Sequence, residues 1–270
     1  MGSEIAYTVA RAYRCPLVVV DASSEILDRA KKVIERNAAK DVEKSKLTVA
    51  VRDEMESQIT YTTVIEEVAG ADFVIEAVPE RMQLKQEIFA KLDRVCHERA
   101  VLASNTSGLS LTKIASATSN PGRVIGTHFF APASVMRLVE IVRGLQTSEE
   151  TIRIAEDFCR AMGKHTIVAR DVPGFATTRV GMPMYIEAMR ALEEGVATAK
   201  DIDDGMKVGM NHAMGPLETC DFIGLDTLLE VMENLAENYG DRFRPPVILR
   251  RMVEAGWLGR KTKRGFHTYE

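Results

Sequence analysis

Apolar residues along the chain fall into two rhythms. Short runs recur at LVVVD (17–21), QITYTT (58–63), FVIEAV (73–78), AVLASN (100–105), VIGTHFF (124–130), LVEIVR (138–143) and TIVAR (166–170). Runs of this length, rich in β-branched residues and bounded by turn formers, predict strands. Between them the spacing turns helical: Ile26, Leu27, Ala30, Val33, Ile34 and Ala38 share one face behind an N-cap at Ser23 or Ser24, and Leu84, Ile88, Leu92 and Val95 share another. Ahead of the first run, Gly2 opens an amphipathic stretch with Ile5, Ala6, Val9, Ala10 and Ala12 on its apolar side. Strands alternating with helices imply an α/β fold, a mostly parallel sheet with helices on both faces.

Beyond DVPGF (171–175) the strand-like runs stop. TTRVGMPMYIEAMRALEEGVA, IDDGMKVGM, LDTLLEVMENLAENYG and PPVILRRMVEAGWLG are helical and punctuated by Gly and Pro. A domain boundary is therefore expected near 170, with an α/β domain over 1–170 and an all-α domain over 171–270. The helical part carries Met and Leu faces on more than one side and few convergent polar groups. Such faces must be buried in a core or a subunit interface, and a homodimer through this domain is the expectation.

The totals narrow the function classes. Lys+Arg 35 against Asp+Glu 39 leaves a net charge of -4, well interspersed, so nucleic acid is not an expected partner. Cys15, Cys96, Cys159 and Cys220 are scattered without zinc-ligand spacing and read as buried apolar fillers in a reducing compartment, with no metal site. No apolar run approaches the roughly 18 residues of a membrane span, and no signal-peptide order is present. A cytoplasmic protein with no membrane partner is expected.

The first helix and strand resemble the second half of a nucleotide-binding βαβ unit. In a G-x-G-x-x-G turn the last glycine opens a helix, and an acid about 20 residues on takes the ribose hydroxyls. Gly2 and Asp21 stand at that distance. An acid there repels a 2'-phosphate, which favours NAD over NADP. Two further strands end in polar groups: Glu76, Pro79, Glu80 and Lys85 after one, and Ser104, Asn105, Thr106 and Ser107 after the next. Ligands of open α/β sheets lie outside the carboxyl ends of strands. The same residue types also cap helices, and Thr106 or Ser107 fits that use equally well.

The strongest signal is VIGTHFFAPASVMRLVEIVRG, in which Glu140 lies inside an apolar run and His128 ends the one before it. A carboxylate in a buried strand costs several kcal/mol in desolvation unless it is paired. His128, across a turn through Pro132, is the natural partner. Such a pair makes the imidazole a general base, and beside a nicotinamide that base removes the hydroxyl proton in an alcohol dehydrogenation. A hydrogen-bonded core histidine and a strand-edge acid are the plainer alternative.

These stretches resemble the L-3-hydroxyacyl-CoA dehydrogenase family. MGSEIA, VVVDAS, ADFVIEAVPE, LASNTSGLSLT, IGTHFF-P, VMRLVEIVRG, DVPGF, MNHAMGPLETCDFIGLDT and GWLGRKTKRGF stand in family order from Gly2 to Glu270. The resemblance implies a Rossmann-type, doubly wound NAD domain followed by a helical dimerising domain. It also implies oxidation of a short-chain (3S)-3-hydroxyacyl-CoA, such as 3-hydroxybutyryl-CoA, to the 3-ketoacyl-CoA in a cleft between the two. By position, His128 matches the catalytic base, Glu140 its orienting partner, and Ser107 the hydroxyl that contacts substrate and base. Gly2, Asp21, Glu80, Lys85 and Asn105 match cofactor contacts. Lys40 and Lys44 match a basic region that meets CoA, although exposed lysines are commonly just solvated, and Thr178 falls among the substrate positions.

Three departures qualify the resemblance. Ala131 replaces the asparagine of the family's H-F-F-N-P, and Thr178 replaces the asparagine before Arg179. Losing a positioned donor of this kind can cost about 2.7–4 kcal/mol of transition-state stabilisation. Thr178 still donates one hydrogen bond, whereas Ala131 has none to give. A catalytically impaired homologue, acting as a CoA-thioester or nucleotide binding protein or a structural dimer, is therefore the alternative. Third, relatives carry an apolar first strand and two more glycines before the position of Met1. The expectations are that Met1 is the internal methionine of a G-x-G-x-M-G turn, and that a chain truly starting there binds NAD weakly for want of the turn's N–H donors.

Overall fold

In the computed structural model, which describes Met1–Glu270, each of the seven apolar runs forms a strand. The first part of the chain runs through α1 (Gly2–Tyr13), β1 (Leu17–Val20), α2 (Ser24–Glu43), α3 (Val49–Ser57), β2 (Ile59–Thr62), β3 (Phe73–Glu76), α4 (Met82–Val95) and β4 (Val101–Ser104). It continues through α5 (Leu111–Ala115), β5 (Val124–Phe129), β6 (Leu138–Arg143), α6 (Glu149–Ala161) and β7 (His165–Arg170). The second part is helical: α7 (Thr177–Glu193), α8 (Ala199–Asp204), α9 (Pro216–Ile223), α10 (Leu225–Tyr239) and α11 (Val247–Glu254). The chain divides into two compact units, Met1–Asp171 and Val172–Glu270.

In the first unit the strands form two sheets. β1 and β2 pair in parallel by themselves, and β3-β4-β5-β6-β7 form a second sheet, parallel except for the antiparallel β5–β6 pair. β1 and β3 are thus end strands, and their side chains are mostly half-buried, unlike the fully buried β4 and β5. What joins the two sheets is α1, which buries two faces. Ile5 and Val9 pack with Val101, Ala103, Ile125, Val139 and Ile141 of the five-stranded sheet and with Ile152, Ala155 and Cys159 of α6. Tyr7 and Ala10 pack with Ile34 and Ala38 of α2 and with Met55 and Ile59. The Tyr7 hydroxyl donates to Asp41 Oδ2 at 2.6 Å, and Arg11 Nη1 pairs with the same oxygen at 2.9 Å. At Gly126 the β5–β6 pair closes tightly: a Cβ there would lie 2.7 Å from that of Val142.

The second unit is built round Met182, Ile186 and Met189 of α7, Leu217 and Cys220 of α9, Leu225, Leu228, Met232 and Leu235 of α10, and Leu249 and Met252 of α11. Two buried acids organise its turns. Asp203 accepts from the backbone N–H groups of Leu217 and Glu218, capping α9. Asp221 accepts from Phe266 N, His267 N and the Tyr269 hydroxyl, anchoring the last residues of the chain.

One expectation fails at the cysteines. Cys96, Cys159 and Cys220 are buried, but Cys15 is exposed, because it follows the end of α1 in the turn into β1 and not on an inward face. No helix is long and apolar enough to cross a membrane.

Candidate active site

The antiparallel register of β5 and β6 puts His128 directly opposite Glu140. His128 Nδ1 lies 2.8 Å from Glu140 Oε2, and both residues are buried, Glu140 completely. A fully buried carboxylate is ionised at modest cost only when a donor meets it, so Nδ1–H donating to Oε2 is the tautomer this environment favours. That leaves Nε2 as the ring's acceptor. Phe130 packs on the imidazole with 4.6 Å between ring centroids.

A second cluster gathers at the carboxyl ends of β3 and β4. Glu76, the last residue of β3, accepts from Val78 N and Lys85 Nζ on Oε1 and from the Ser104 hydroxyl on Oε2, each at 2.7 Å. Lys85 has no exposed surface; its ammonium also approaches Glu80 Oε2 at 3.3 Å. Glu80 Oε1 accepts from the Thr106 hydroxyl, from Ser107 N at 2.9 Å and from Gly108 N at 3.2 Å. Burial pushes the Glu80 carboxyl up, but the Thr106 hydroxyl, the Lys85 charge and the Ser107 amide outweigh it and hold the group below the ordinary carboxylate range.

Asn105 ties the two clusters together. Its N–H donates to Glu76 O at 2.8 Å, and its Oδ1 accepts from Phe129 N at 2.9 Å, one residue past His128. The loop it opens is fixed further on by Asp171, which accepts from the Ser110 hydroxyl and from Leu111 N and Thr112 N and so caps α5. On the other side of β5, Lys164 Nζ donates to Ala133 O and Met136 O in the connection to β6, at 2.6 and 2.8 Å.

The structure therefore brings together His128 with Glu140, and Glu80 with Lys85 and the backbone of Ser107. Asn105 lies between these groups, and the Ser107 residue is exposed. Asp21 stands at the carboxyl end of β1, half-buried, with Oδ1 accepting from Ala22 N. Gly2 begins α1, where a Cβ would meet Ala77 at an ordinary 3.5 Å, so packing alone does not dictate glycine there. Lys44 is exposed at the end of α2. Thr178 lies in the first turn of α7, in the second unit. Lys85, its charge held between the Glu76 and Glu80 carboxylates, has no exposed surface. Sequence reasoning placed Glu76 and Ser104 among the polar groups at strand ends without pairing them, and missed Lys164 and Asp171, which carried no signal.

Chemically, the arrangement supplies a buried base with its acceptor nitrogen turned from the carboxylate, and an anion at the sheet's carboxyl edge able to accept hydroxyl groups. Comparison with known proteins gives this chemistry a setting. Residues 1–172 match the 3-hydroxyacyl-CoA dehydrogenase NAD binding domain, and residues 174–269 match the 3-hydroxyacyl-CoA dehydrogenase C-terminal domain. The chain is 46% identical over 271 residues to a probable 3-hydroxybutyryl-CoA dehydrogenase of Bacillus subtilis, covering 100% of this chain and 94% of that one. It is 38% identical over 279 residues to a mitochondrial hydroxyacyl-coenzyme A dehydrogenase of Rattus norvegicus, covering 100% and 88%. Its structure is similar to that of (S)-3-hydroxybutyryl-CoA dehydrogenase from Ralstonia eutropha, with a TM-score of 0.96, 41% identity and coverage of 100% and 95%.

Proposed function

The chain belongs to the 3-hydroxyacyl-CoA dehydrogenase family, and we propose that it interconverts short-chain (3S)-3-hydroxyacyl-CoA and 3-ketoacyl-CoA with NAD. The observation that carries this reading is the 2.8 Å contact between His128 and Glu140 on adjacent strands. His128 Nε2 takes the proton of the 3-hydroxyl group, and the imidazolium so formed is stabilised by the carboxylate on its other nitrogen. Because Glu140 is fully buried, its charge acts through little screening water.

The residues present fit a dinucleotide. The N–H groups in the first turn of α1 meet no capping side chain and suit a pyrophosphate. Asp21 and Glu80 offer carboxylate oxygens to ribose hydroxyls, and Glu80 is held ionised for it. NAD, when bound, accepts the hydride that leaves the carbinol carbon. Asn105 holds the chain after β4 against the backbone next to His128, so the loop bearing Ser107 and the strand bearing the base keep one geometry. Ser107 offers a hydroxyl to the substrate oxygen, Lys44 an ammonium to CoA phosphates, and Thr178 one hydrogen bond.

A homodimer through the second unit is part of this reading. Its support is the set of large exposed apolar residues there, among them Val180, Val196, Val208, Met210 and Val247, at 56–87% exposure. The free cysteines fit a reducing cytoplasm. Loss of NADH absorbance with acetoacetyl-CoA tests the activity: turnover that His128→Ala removes is the expected result. One observation favours a second reading, a homologue that binds without turning over. Ala131, beside the base, carries no polar group. Tight CoA-thioester binding with no turnover would favour it.

A further inference from the structure

Lys85 and Lys164 are both buried, and their charges are met differently. Lys85 lies between the Glu76 and Glu80 carboxylates. Lys164, 9% exposed in the turn between α6 and β7, has no carboxylate: its Nζ donates to Ala133 O at 2.6 Å and to Met136 O at 2.8 Å. Those carbonyls and the nearby carboxyl end of α6 supply partial charges only, about half an electron at a helix end. A buried charge costs several kcal/mol unless an opposite charge meets it, and no acid of this protein pairs with Lys164.

Beside Lys164 lies a cavity of about 300 Å³, at the small end of the range for ligand pockets. Tyr7, Thr8 and Arg11 of α1 line it, with Ser134 of the β5–β6 connection and Gly163 and Lys164 after α6; no acid does. Arg11 gives Nη1 to Asp41 at 2.9 Å, which leaves Nε and Nη2 of the guanidinium for another acceptor. Burial pushes the Lys164 amine below the ordinary lysine value; the Cys159 thiol opposes this, and the Arg11 charge adds to it, so the two cations are close enough to repel each other. One is a planar fork of donors and the other a compact point charge. Lining one space without an acid, they are the pair that suits a phosphate group. His128, Glu140, Asp21, Glu80 and Ser107 do not line this cavity, which is therefore separate from the candidate active site. We propose that the cavity between α1 and the α6–β7 turn binds a phosphate dianion, free or as the end of a small phosphomonoester, through Arg11 and Lys164. Because Lys164 also fixes the connection that follows His128, the bound anion is seated against the segment leading from the base to β6.

The test uses the full chain with carbon-13-labelled lysine, the Lys164 signal being identified by its loss in Lys164→Arg. Millimolar inorganic phosphate, against sodium chloride of equal ionic strength, is expected to move the Lys164 titration up by about one unit, a tenfold preference of the anion for the charged amine. Arg11→Gln is expected to raise that titration in the absence of phosphate, since a neighbouring cation is gone, and to weaken phosphate at least about tenfold by calorimetry. If Lys164→Arg fails to fold, the rise in Arg11→Gln identifies the signal. Methyl phosphate separates the two sources: tighter binding than inorganic phosphate assigns the cavity to a phosphomonoester, and weaker binding assigns it to the free ion. A Lys164 titration unmoved by phosphate overturns the proposal, even where calorimetry shows uptake, because the ion is then held elsewhere. An equal shift in chloride alone, or a folded Arg11→Gln protein that binds phosphate as the original does, overturns it too.

Discussion

Replacing Glu140 by Gln keeps the shape of the side chain and removes its charge, so it isolates what the carboxylate does for His128. At 2.8 Å from Nδ1, a full charge pair at an effective dielectric near 20 is worth about 6 kcal/mol by Coulomb's law. Most of that is offset by the desolvation of a carboxylate with no exposed surface. The net worth of a hydrogen bond to a charged group is about 1.5–3 kcal/mol, and here it is gained only once the imidazole carries a proton, in the transition state and after. At about 1.4 kcal/mol per tenfold, kcat should fall roughly 10- to 150-fold. A further loss, up to about 10⁴-fold, follows if the new amide turns its NH2 group toward Nδ1, because the ring must then accept there and present N–H at Nε2. The assay is NADH oxidation with acetoacetyl-CoA, with circular dichroism to establish that the variant is folded and calorimetry to show that NADH still binds. A folded Glu140→Gln protein within threefold of the original kcat would refute the reasoning, since no role would remain for the buried charge.

Four further outcomes follow from other parts of the structure. Lys164→Met leaves Ala133 O without its buried donor while Met136 O turns to water, so urea unfolding should report a loss of about 1–3 kcal/mol, and KM for acetoacetyl-CoA should rise. Gly265→Ala places a Cβ 1.9 Å from Asp221 Oδ1 and should release the last residues of the chain, at a cost of at least about 3 kcal/mol for the lost bonds to that carboxylate. Trp257 fluorescence, set by the Arg264 guanidinium stacked 3.6 Å from its ring, reads the change. Burial raises Tyr61 and Cys159 to about 12 and pushes Tyr7 and Tyr269 up as well. The folded protein then holds protons that the unfolded chain gives up near the ordinary thiol and phenol values, so stability is full below about pH 9 and falls between there and about 12. A urea midpoint that does not fall across that window would contradict this. His267→Ala should lower stability and leave kcat unchanged, as thermal melting and the NADH assay would show together.

The strands were legible because their signal is local: a short β-branched run needs no distant partner to be recognised. The His128–Glu140 pair was legible for a related reason. A charged residue inside LVEIV demands a partner, and the partner was the nearest ionisable residue across one turn. The same rule applies to Glu76 in FVIE, yet its partners are Lys85, on the far side of a loop and one turn into α4, and Ser104 on the next strand. Nothing in the spacing selects these over other residues, so Lys85 read, through the family resemblance, as a cofactor contact and its pairing with Glu76 went unseen. Lys164 and Asp171 escaped for the same reason, since each holds backbone groups between 28 and 60 residues away. The division into two sheets depends on hydrogen bonding between whole strands, which no run of residues encodes by itself.

A histidine on a buried carboxylate does not by itself mark an active site, because this protein has two. His267 Nε2 lies 2.7 Å from Asp203 Oδ2, beside a cavity of about 310 Å³ lined also by Lys200, Lys207 and Tyr269. What separates them is position. Asp203 accepts from Leu217 N and Glu218 N as the cap of α9, so that imidazole joins an anion at a helix start. His128 faces the fully buried Glu140 across the β5–β6 pair, inside the sheet. That His128 also ends its strand beside the Asn105 bridge, among the polar groups of β3 and β4, makes it the one of the two with something to act upon.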